Sequence, residues 1–300
     1  MATWQGKSRG TVLGYRIFFW TLRTFGVKGA YLLLRFVTFY YFLFAGKAVR
    51  AQMQYFEQVH GWTGSKARIA AYKNLVQFGQ TLIDKAVVMS GAIDVPFGII
   101  RDGEEHIADA LDAGKGLLLI SAHVGNWEVA GHMLNKFDTP VNLVMMDAER
   151  EQLKKYLENI MAQRALNIIP IGDDLSHLVA IKQAFDRKEI VALHGDRFVE
   201  GQRTHTTEFF GKPAQFPLGP FILAEKMKVP VLYVFCMKRS ALTYHFYAHT
   251  TEAAQTAAEY AALFNRLLEQ KVMAYPHQWY NYYDFWALKE ANNNGNHAGR

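Results

Sequence analysis

His123 and Glu128 stand five residues apart in the stretch Gly116-Leu117-Leu118-Leu119-Ile120-Ser121-Ala122-His123-Val124-Gly125-Asn126-Trp127-Glu128. The stretch opens as an apolar run of strand length and ends in the histidine. Gly125 then lets the chain turn, Asn126 is suited to cap the helix that follows, and Glu128 falls in that helix's first turn. From there its carboxylate could bend back to one imidazole nitrogen. It would then fix the tautomer and stabilise the imidazolium after the other nitrogen takes a proton. No serine or cysteine nucleophile is required, because a substrate hydroxyl could be deprotonated directly. Spacing alone leaves two readings open: a base and its orienting acid, or a buried structural histidine with Glu128 a solvated acid at a helix start.

Such a pair must be held at the mouth of a sheet, and the surrounding pattern supplies one. Strand signals at Phe97–Ile100, Leu117–Ser121, Val141–Met146, Asn167–Ile171 and Ile190–Leu193 alternate with helical patterns at Lys66–Met89, Gly103–Ala113, Asn126–Asn135, Glu149–Ala162 and Leu175–Arg187. A Gly- and charge-rich loop, 195–203, interrupts the rhythm. Strand Thr206–Phe210, a Gly211-Lys212-Pro213 turn, helix Leu218–Met227, strands Val229–Met237 and Leu242–Ala248, and helix Ala253–Met273 follow. This alternation predicts an α/β fold with a mostly parallel central sheet flanked by helices. Ligands bind such sheets at the carboxyl ends of the strands, where both His123 and His194-Gly195-Asp196-Arg197 would lie. Gly219, after Pro217, could open its helix with backbone N–H groups facing a phosphate or the arm of a carrier, or could simply start the helix. Metal ligation is not expected, since the His–Glu spacing is not that of a zinc helix and there is no cysteine cluster. No phosphate- or dinucleotide-binding glycine loop is present, so no cofactor is expected.

Bulk properties narrow the setting. Of 300 residues, 50% are hydrophobic and 20% charged, which is a globular balance. The one cysteine, Cys236, excludes an internal disulfide, and its apolar surroundings predict a buried, inert thiol. The net charge of +6 is unevenly distributed. Residues 1–56 carry eight Lys and Arg and no acid, so the remainder sums to −2. That arm is crowded with Phe, Tyr, Trp and Leu, a mixture suited to an anionic membrane surface and not to nucleic acid. Val12–Phe25 is helical in pattern and Gly26 breaks it. Ala30–Ala45 is almost wholly apolar but about 16 residues long, short of the roughly 20 needed to cross a bilayer squarely. The arm is therefore expected to lie on a membrane, or to send one helix into or across it, the alternative being an amphipathic cap on the soluble part. A signal peptide is not expected, because the apolar part starts late and is studded with arginine. The predicted organisation is a membrane-associated helical arm at 1–60, an α/β domain at 61–290 and a flexible tail at 291–300.

His-x-x-x-x-Glu, here His123 to Glu128 with Asn126-Trp127-Glu128 at its end, resembles the motif of glycerolipid acyltransferases, and specifically of the late acyltransferases of bacterial lipid A biosynthesis. Phe209-Phe210-Gly211-Lys212-Pro213-Ala214, Pro217-Leu218-Gly219-Pro220 and Val229-Pro230-Val231 are similar to that family's second stretch. Pro276-His277-Gln278-Trp279 looks like its C-terminal signature. The resemblance implies a glycerolipid acyltransferase-like fold and transfer of a fatty acyl group from acyl carrier protein, or acyl-CoA, to a membrane-lipid hydroxyl. It implies a lipid A precursor as acceptor, at the inner (cytoplasmic) membrane with the catalytic domain facing the cytoplasm. His123 and Glu128 would be catalytic, and Asn126, Arg164, Asp196, Arg197 and Gly219 would contact substrate. In this reading Asp196 shapes the site and Arg197 meets an anion or oxyanion, whereas a surface turn is the plain alternative. Two departures bear on the acceptor. The family's Asp-Gln-Asp is His194-Gly195-Asp196 here, and its Arg-Pro pair is replaced by Met145-Met146-Asp147. Transfer to another glycolipid or aminolipid, hydrolysis by the same pair, and a non-catalytic lipid-binding protein are the rival readings.

Overall fold

Helices and strands alternate along the chain in a computed structural model that describes residues 12–90, 97–146, 166–172, 174–198 and 202–287. Three helices come first: α1 (Val12–Phe44), α2 (Gly46–His60) and α3 (Gly64–Ser90). Then follow β1 (Gly98–Asp102), α4 (Glu105–Asp112), β2 (Leu117–Ser121), α5 (Trp127–Met133), β3 (Val141–Met146), β4 (Leu166–Ile171), α6 (Ser176–Asp186) and β5 (Ile190–His194). The remainder is β6 (Thr204–Phe209), β7 (Lys212–Pro217), α7 (Gly219–Met227), β8 (Val231–Ser240), β9 (Thr243–Thr250) and α8 (Ala257–Ala274). The expected helix Glu149–Ala162 and Arg164 lie outside the described residues.

Seven strands form one sheet in the order β1-β9-β8-β2-β5-β3-β4. β8, β2, β5, β3 and β4 run parallel, while β9 turns back on β8 and carries β1 alongside it. β2 sits between β5 and β8 and is buried along Leu117–Ile120. A near-continuous apolar strand with helices on both faces is what a central parallel position demands. One core face gathers Leu118, Ile120, Tyr233, Phe235 and Phe264, and the other gathers Leu117, Leu119, Val129, Leu232 and Phe246. Cys236 is buried in the second, as its apolar run predicted, and burial pushes its thiol up.

Two differences from the sequence reading have physical causes. Lys212 and Pro213 belong to a strand, not to a turn: β6 and β7 form a two-stranded antiparallel ribbon with Glu208 opposite Pro213. A two-stranded ribbon consists only of edges, where proline costs no ladder bond that must be made. The ribbon drops Phe209 and Phe216 into the core. Helix α2, inside the helical arm read at 1–60, packs on the sheet domain: its buried Gln52 donates from Nε2 to the Asn281 carbonyl at 2.6 Å. Its Tyr55 and Phe56 join the main core.

Gly26, at φ 66° and ψ −169°, kinks α1 where the sequence break was read. One side of α1 contributes Leu22, Val27, Ala30 and Tyr31 to the core; the other exposes Trp20, Phe25, Phe36, Tyr40 and Phe44. Trp20–Phe44 is 25 residues, long and apolar enough to cross a membrane by length and composition. Tyr31 of α1 donates to Asp84 of α3, which also receives hydrogen bonds from Lys238 and Tyr244. This buried cluster pins the arm to β8 and β9.

Candidate active site

The carboxyl ends of β2 and β5 lie side by side, with Ser121 opposite His194. Each strand delivers polar side chains just beyond its end: His123 from one, His194, Asp196 and Arg197 from the other. Asp196 is buried and grips His123 twice. Its Oδ1 meets His123 Nδ1 at 2.8 Å and its Oδ2 accepts the His123 backbone N–H at 2.9 Å. Burial alone would raise the Asp196 carboxyl, but the charge and hydrogen bond of His123, with Arg197 adding its charge, outweigh it and hold Asp196 below the ordinary carboxylate range. The carboxylate therefore stays ionised, and Nδ1 carries the proton it shares with Asp196. That leaves Nε2, on a side chain 13% exposed, as the nitrogen open to a substrate.

The turn that carries His123 is clamped from two directions. Gly125 has φ 61°, and a Cβ there would lie 2.1 Å from the Cys236 carbonyl oxygen, so only glycine fits. Its N–H donates to the Gln278 carbonyl at 2.9 Å, and Tyr280 N–H donates to the His123 carbonyl at 3.2 Å. Asn126 N–H donates to Cys236 at 2.7 Å. Gln278 in turn bonds both backbone groups of Lys238 through its side chain, at 2.8 and 2.6 Å. The Pro276-His277-Gln278-Trp279 segment thus works as a strap over the His123 turn, and Trp279 is fully buried behind it. On the other strand, a Cβ on Gly195 would come within 3.0 Å of Ile120 Cγ2 and 3.2 Å of Phe264 Cζ, so the small residue lets Asp196 approach the end of β2.

A His–carboxylate pair at the ends of adjacent parallel strands suits proton abstraction, and a match to known proteins supplies the family. Residues 15–286 match the family described as bacterial lipid A biosynthesis acyltransferase. The chain belongs to that family. It is also similar to a phosphatidylinositol mannoside acyltransferase of Mycobacterium tuberculosis, 25% identical over 61% of this chain and 58% of that protein. A phosphatidylinositol mannoside acyltransferase of Mycolicibacterium smegmatis is 25% identical over 44% of this chain and 43% of its own. The chain thus matches somewhat over half the length of the first of these relatives.

Among family-type residues, the structure brings His123, Asp196 and Arg197 together. It gives Glu128 a different partner from the one expected. Glu128 Oε1 pairs with Lys85 Nζ of α3 at 2.7 Å, and the imidazole position foreseen for it is taken by Asp196. The helix geometry explains this. Glu128 is the second residue of α5, whose flank packs on α3, while Nδ1 of His123 points across the sheet toward β5. Asn126 likewise serves the scaffold and does not face a substrate: it is fully buried, its Oδ1 caps Val129 N–H at 3.2 Å, and its Nδ2 donates to Thr81 C=O and the Tyr244 hydroxyl. Arg197 donates from Nη2 to the Tyr280 carbonyl at 2.7 Å and lies near the Tyr283 ring. Gly219 is the first residue of α7, with open space where a Cβ would point.

Two residues of the cluster escaped the sequence reading. The His194 ring lies 4.3 Å from that of His123, and Trp127 packs edge-on against both, at 5.2 and 5.3 Å. Burial, followed by the charge of His123, drives His194 down to about 3, so it is a neutral ring at physiological pH. The signal for His194 was its place at a strand end; the signal for Trp127 was its position inside the motif. One donor atom each from His123, His194 and Asp196 lies within 4.8 Å of the others, a grouping that could also hold a metal ion.

Proposed function

We propose that the protein transfers a fatty acyl group from a carrier thioester, acyl carrier protein or acyl-CoA, to a hydroxyl of a membrane lipid. The acceptor is a lipid A precursor or, in line with the names of its relatives, a glycolipid of the phosphoinositide mannoside type. The observation that carries this reading is the 2.8 Å bond between Asp196 and His123 Nδ1, which leaves Nε2 to act as base. The acceptor hydroxyl gives its proton to Nε2 as its oxygen attacks the thioester carbonyl. Asp196 stabilises the imidazolium, and collapse of the tetrahedral intermediate expels the carrier thiolate, which takes the proton back from His123. Arg197 adds positive charge to the site beside the base. The exposed aromatic side of α1, with Arg23 and Arg35 along it, would hold the site at the cytoplasmic face of the inner membrane.

The test is product analysis by mass spectrometry with purified full-length protein, acyl carrier thioester and a lipid extract. A lipid heavier by one acyl chain is expected from the wild type and not from His123→Ala. Release of free fatty acid without a heavier lipid would make the protein a hydrolase. Full transfer by His123→Ala would end the mechanism.

A further inference from the structure

Beside His123 the interior holds polar atoms with no partner among the described residues. They are the hydroxyls of Tyr280 and Tyr282, Nε of Arg197 and Nδ1 of His194. Tyr280 is 2% exposed. The residues that carry these groups adjoin one another. Arg197 Nη2 donates to the Tyr280 carbonyl at 2.7 Å. The Phe78 ring contacts both Tyr280 and Tyr282, with ring centres at 5.1 and 5.5 Å. Burial raises the phenol of Tyr282, with the Arg197 charge opposing it, and the two phenols influence each other. Tyr280 N–H is itself bonded to the His123 carbonyl, so the group borders the base directly.

Buried donors are nearly always satisfied in folded proteins, so several orphans in one place need an explanation. Phenol and guanidinium N–H and O–H groups donate, and one of the donors carries a fixed positive charge. The complement is a group presenting several acceptor oxygens with negative charge. The carboxylates whose charge reaches these groups are already paired: Asp196 with His123 through both its oxygens, Glu128 with Lys85, and Asp84 with Lys238.

We infer that Tyr280, Tyr282, Arg197 and His194 form a subsite for the phosphate-bearing polar head group of the acceptor lipid, adjoining the base. This rests on the acyl-transfer reading for its place in the reaction, but it can be tested without turnover. The neutral His194 ring beside the base leaves the positive charge of the subsite to Arg197.

The experiment is calorimetric titration of full-length protein in detergent micelles with three probes: short-chain phosphatidylinositol, the corresponding diacylglycerol, and coenzyme A. The Tyr280→Phe/Tyr282→Phe double variant is compared with the wild type. Each lost hydrogen bond is worth roughly threefold to tenfold in affinity, so phosphatidylinositol binding should weaken about tenfold to hundredfold. Diacylglycerol and coenzyme A binding should not change. Because the hydroxyls are unpartnered without ligand, the double variant should melt no lower than the wild type. Four results would overturn the inference: wild-type affinity no higher for phosphatidylinositol than for diacylglycerol, an unchanged affinity in the variant, a loss matched by coenzyme A, or a marked fall in melting temperature. The first two reject the subsite, the third assigns it to the donor, and the fourth makes the hydroxyls structural. A protein that binds as expected yet transfers no acyl group would reject the catalytic reading and leave the subsite standing.

Discussion

Asp196 meets His123 through two hydrogen bonds although 73 residues separate them, and Glu128, five residues away, is paired with Lys85. Local spacing made Glu128 the natural partner for the imidazole; only the pairing of β2 with β5 makes Asp196 the nearer one. The sequence marked the four residues His123, Glu128, Asp196 and Arg197 as chemically important. It could not assign their pairing, because strand order is not written in local periodicity. His194 went unrecognised as part of the cluster for the same reason. The Glu128–Lys85 ion pair is largely buried, with side chains 19% and 14% exposed. Glu128→Gln removes a charge-assisted bond there, and urea denaturation should register a loss of about 1–2 kcal/mol. A variant as stable as the wild type would show that this pair contributes nothing to the fold.

At the scale of elements, the motif near the C-terminus has a mechanical meaning. Gln278 bridges the N–H and C=O of Lys238 on β8, while its own carbonyl receives the N–H of Gly125 in the His123 turn. The strap therefore ties residues 276–280 to that turn. Gln278→Ala leaves a buried N–H and C=O unpaired and loosens the turn. Each such group costs about 1–3 kcal/mol, so a stability loss of that order is expected, together with a kcat reduced more than KM. An unchanged kcat in a folded, destabilised variant would confine the strap to stability. Strands read from apolar runs coincide with the observed ones to within three residues at either end, because a buried strand leaves a continuous apolar signature. Strand β7 left none, because it begins with Lys212-Pro213.

The whole molecule joins an aromatic, basic helix to a sheet whose strand ends carry the chemistry. The link is physical: Tyr31 of α1 bonds Asp84, and Asp84 bonds Tyr244, whose hydroxyl receives the amide of Asn126 at the head of α5. Histidines depressed by burial contribute to its acid sensitivity; among them are His60, His205 and His245, all held below the ordinary value. Burial drives His194 down to about 3, and His249 and His277 down to about 4. A histidine depressed in the folded state binds its proton more readily when unfolded, near pH 6.5. The unfolded chain therefore holds more protons between that pH and the folded values, and stability rises with pH across the window. Acidification from about 6.5 to 4 should lower the unfolding free energy, by up to ~1.4 kcal/mol per pH unit for buried His194 and by less for the half-buried pair. Denaturant titrations at stepped pH would measure the slope, and His194→Gln should reduce it. A flat profile in the wild type would contradict the burial of these rings.

The central claim is that Asp196 orients the base and Glu128 does not. Acyl transfer by folded Asp196→Asn and Glu128→Gln proteins, measured side by side under saturating donor and acceptor, tests it most directly. A carboxylate that fixes the tautomer of a catalytic histidine is worth about a thousandfold or more in kcat, so Asp196→Asn should lose at least that much. Glu128→Gln should stay within about tenfold of the wild type, in keeping with the loss of a supporting ion pair. A severe defect in Glu128→Gln with near-normal turnover in Asp196→Asn would contradict the account.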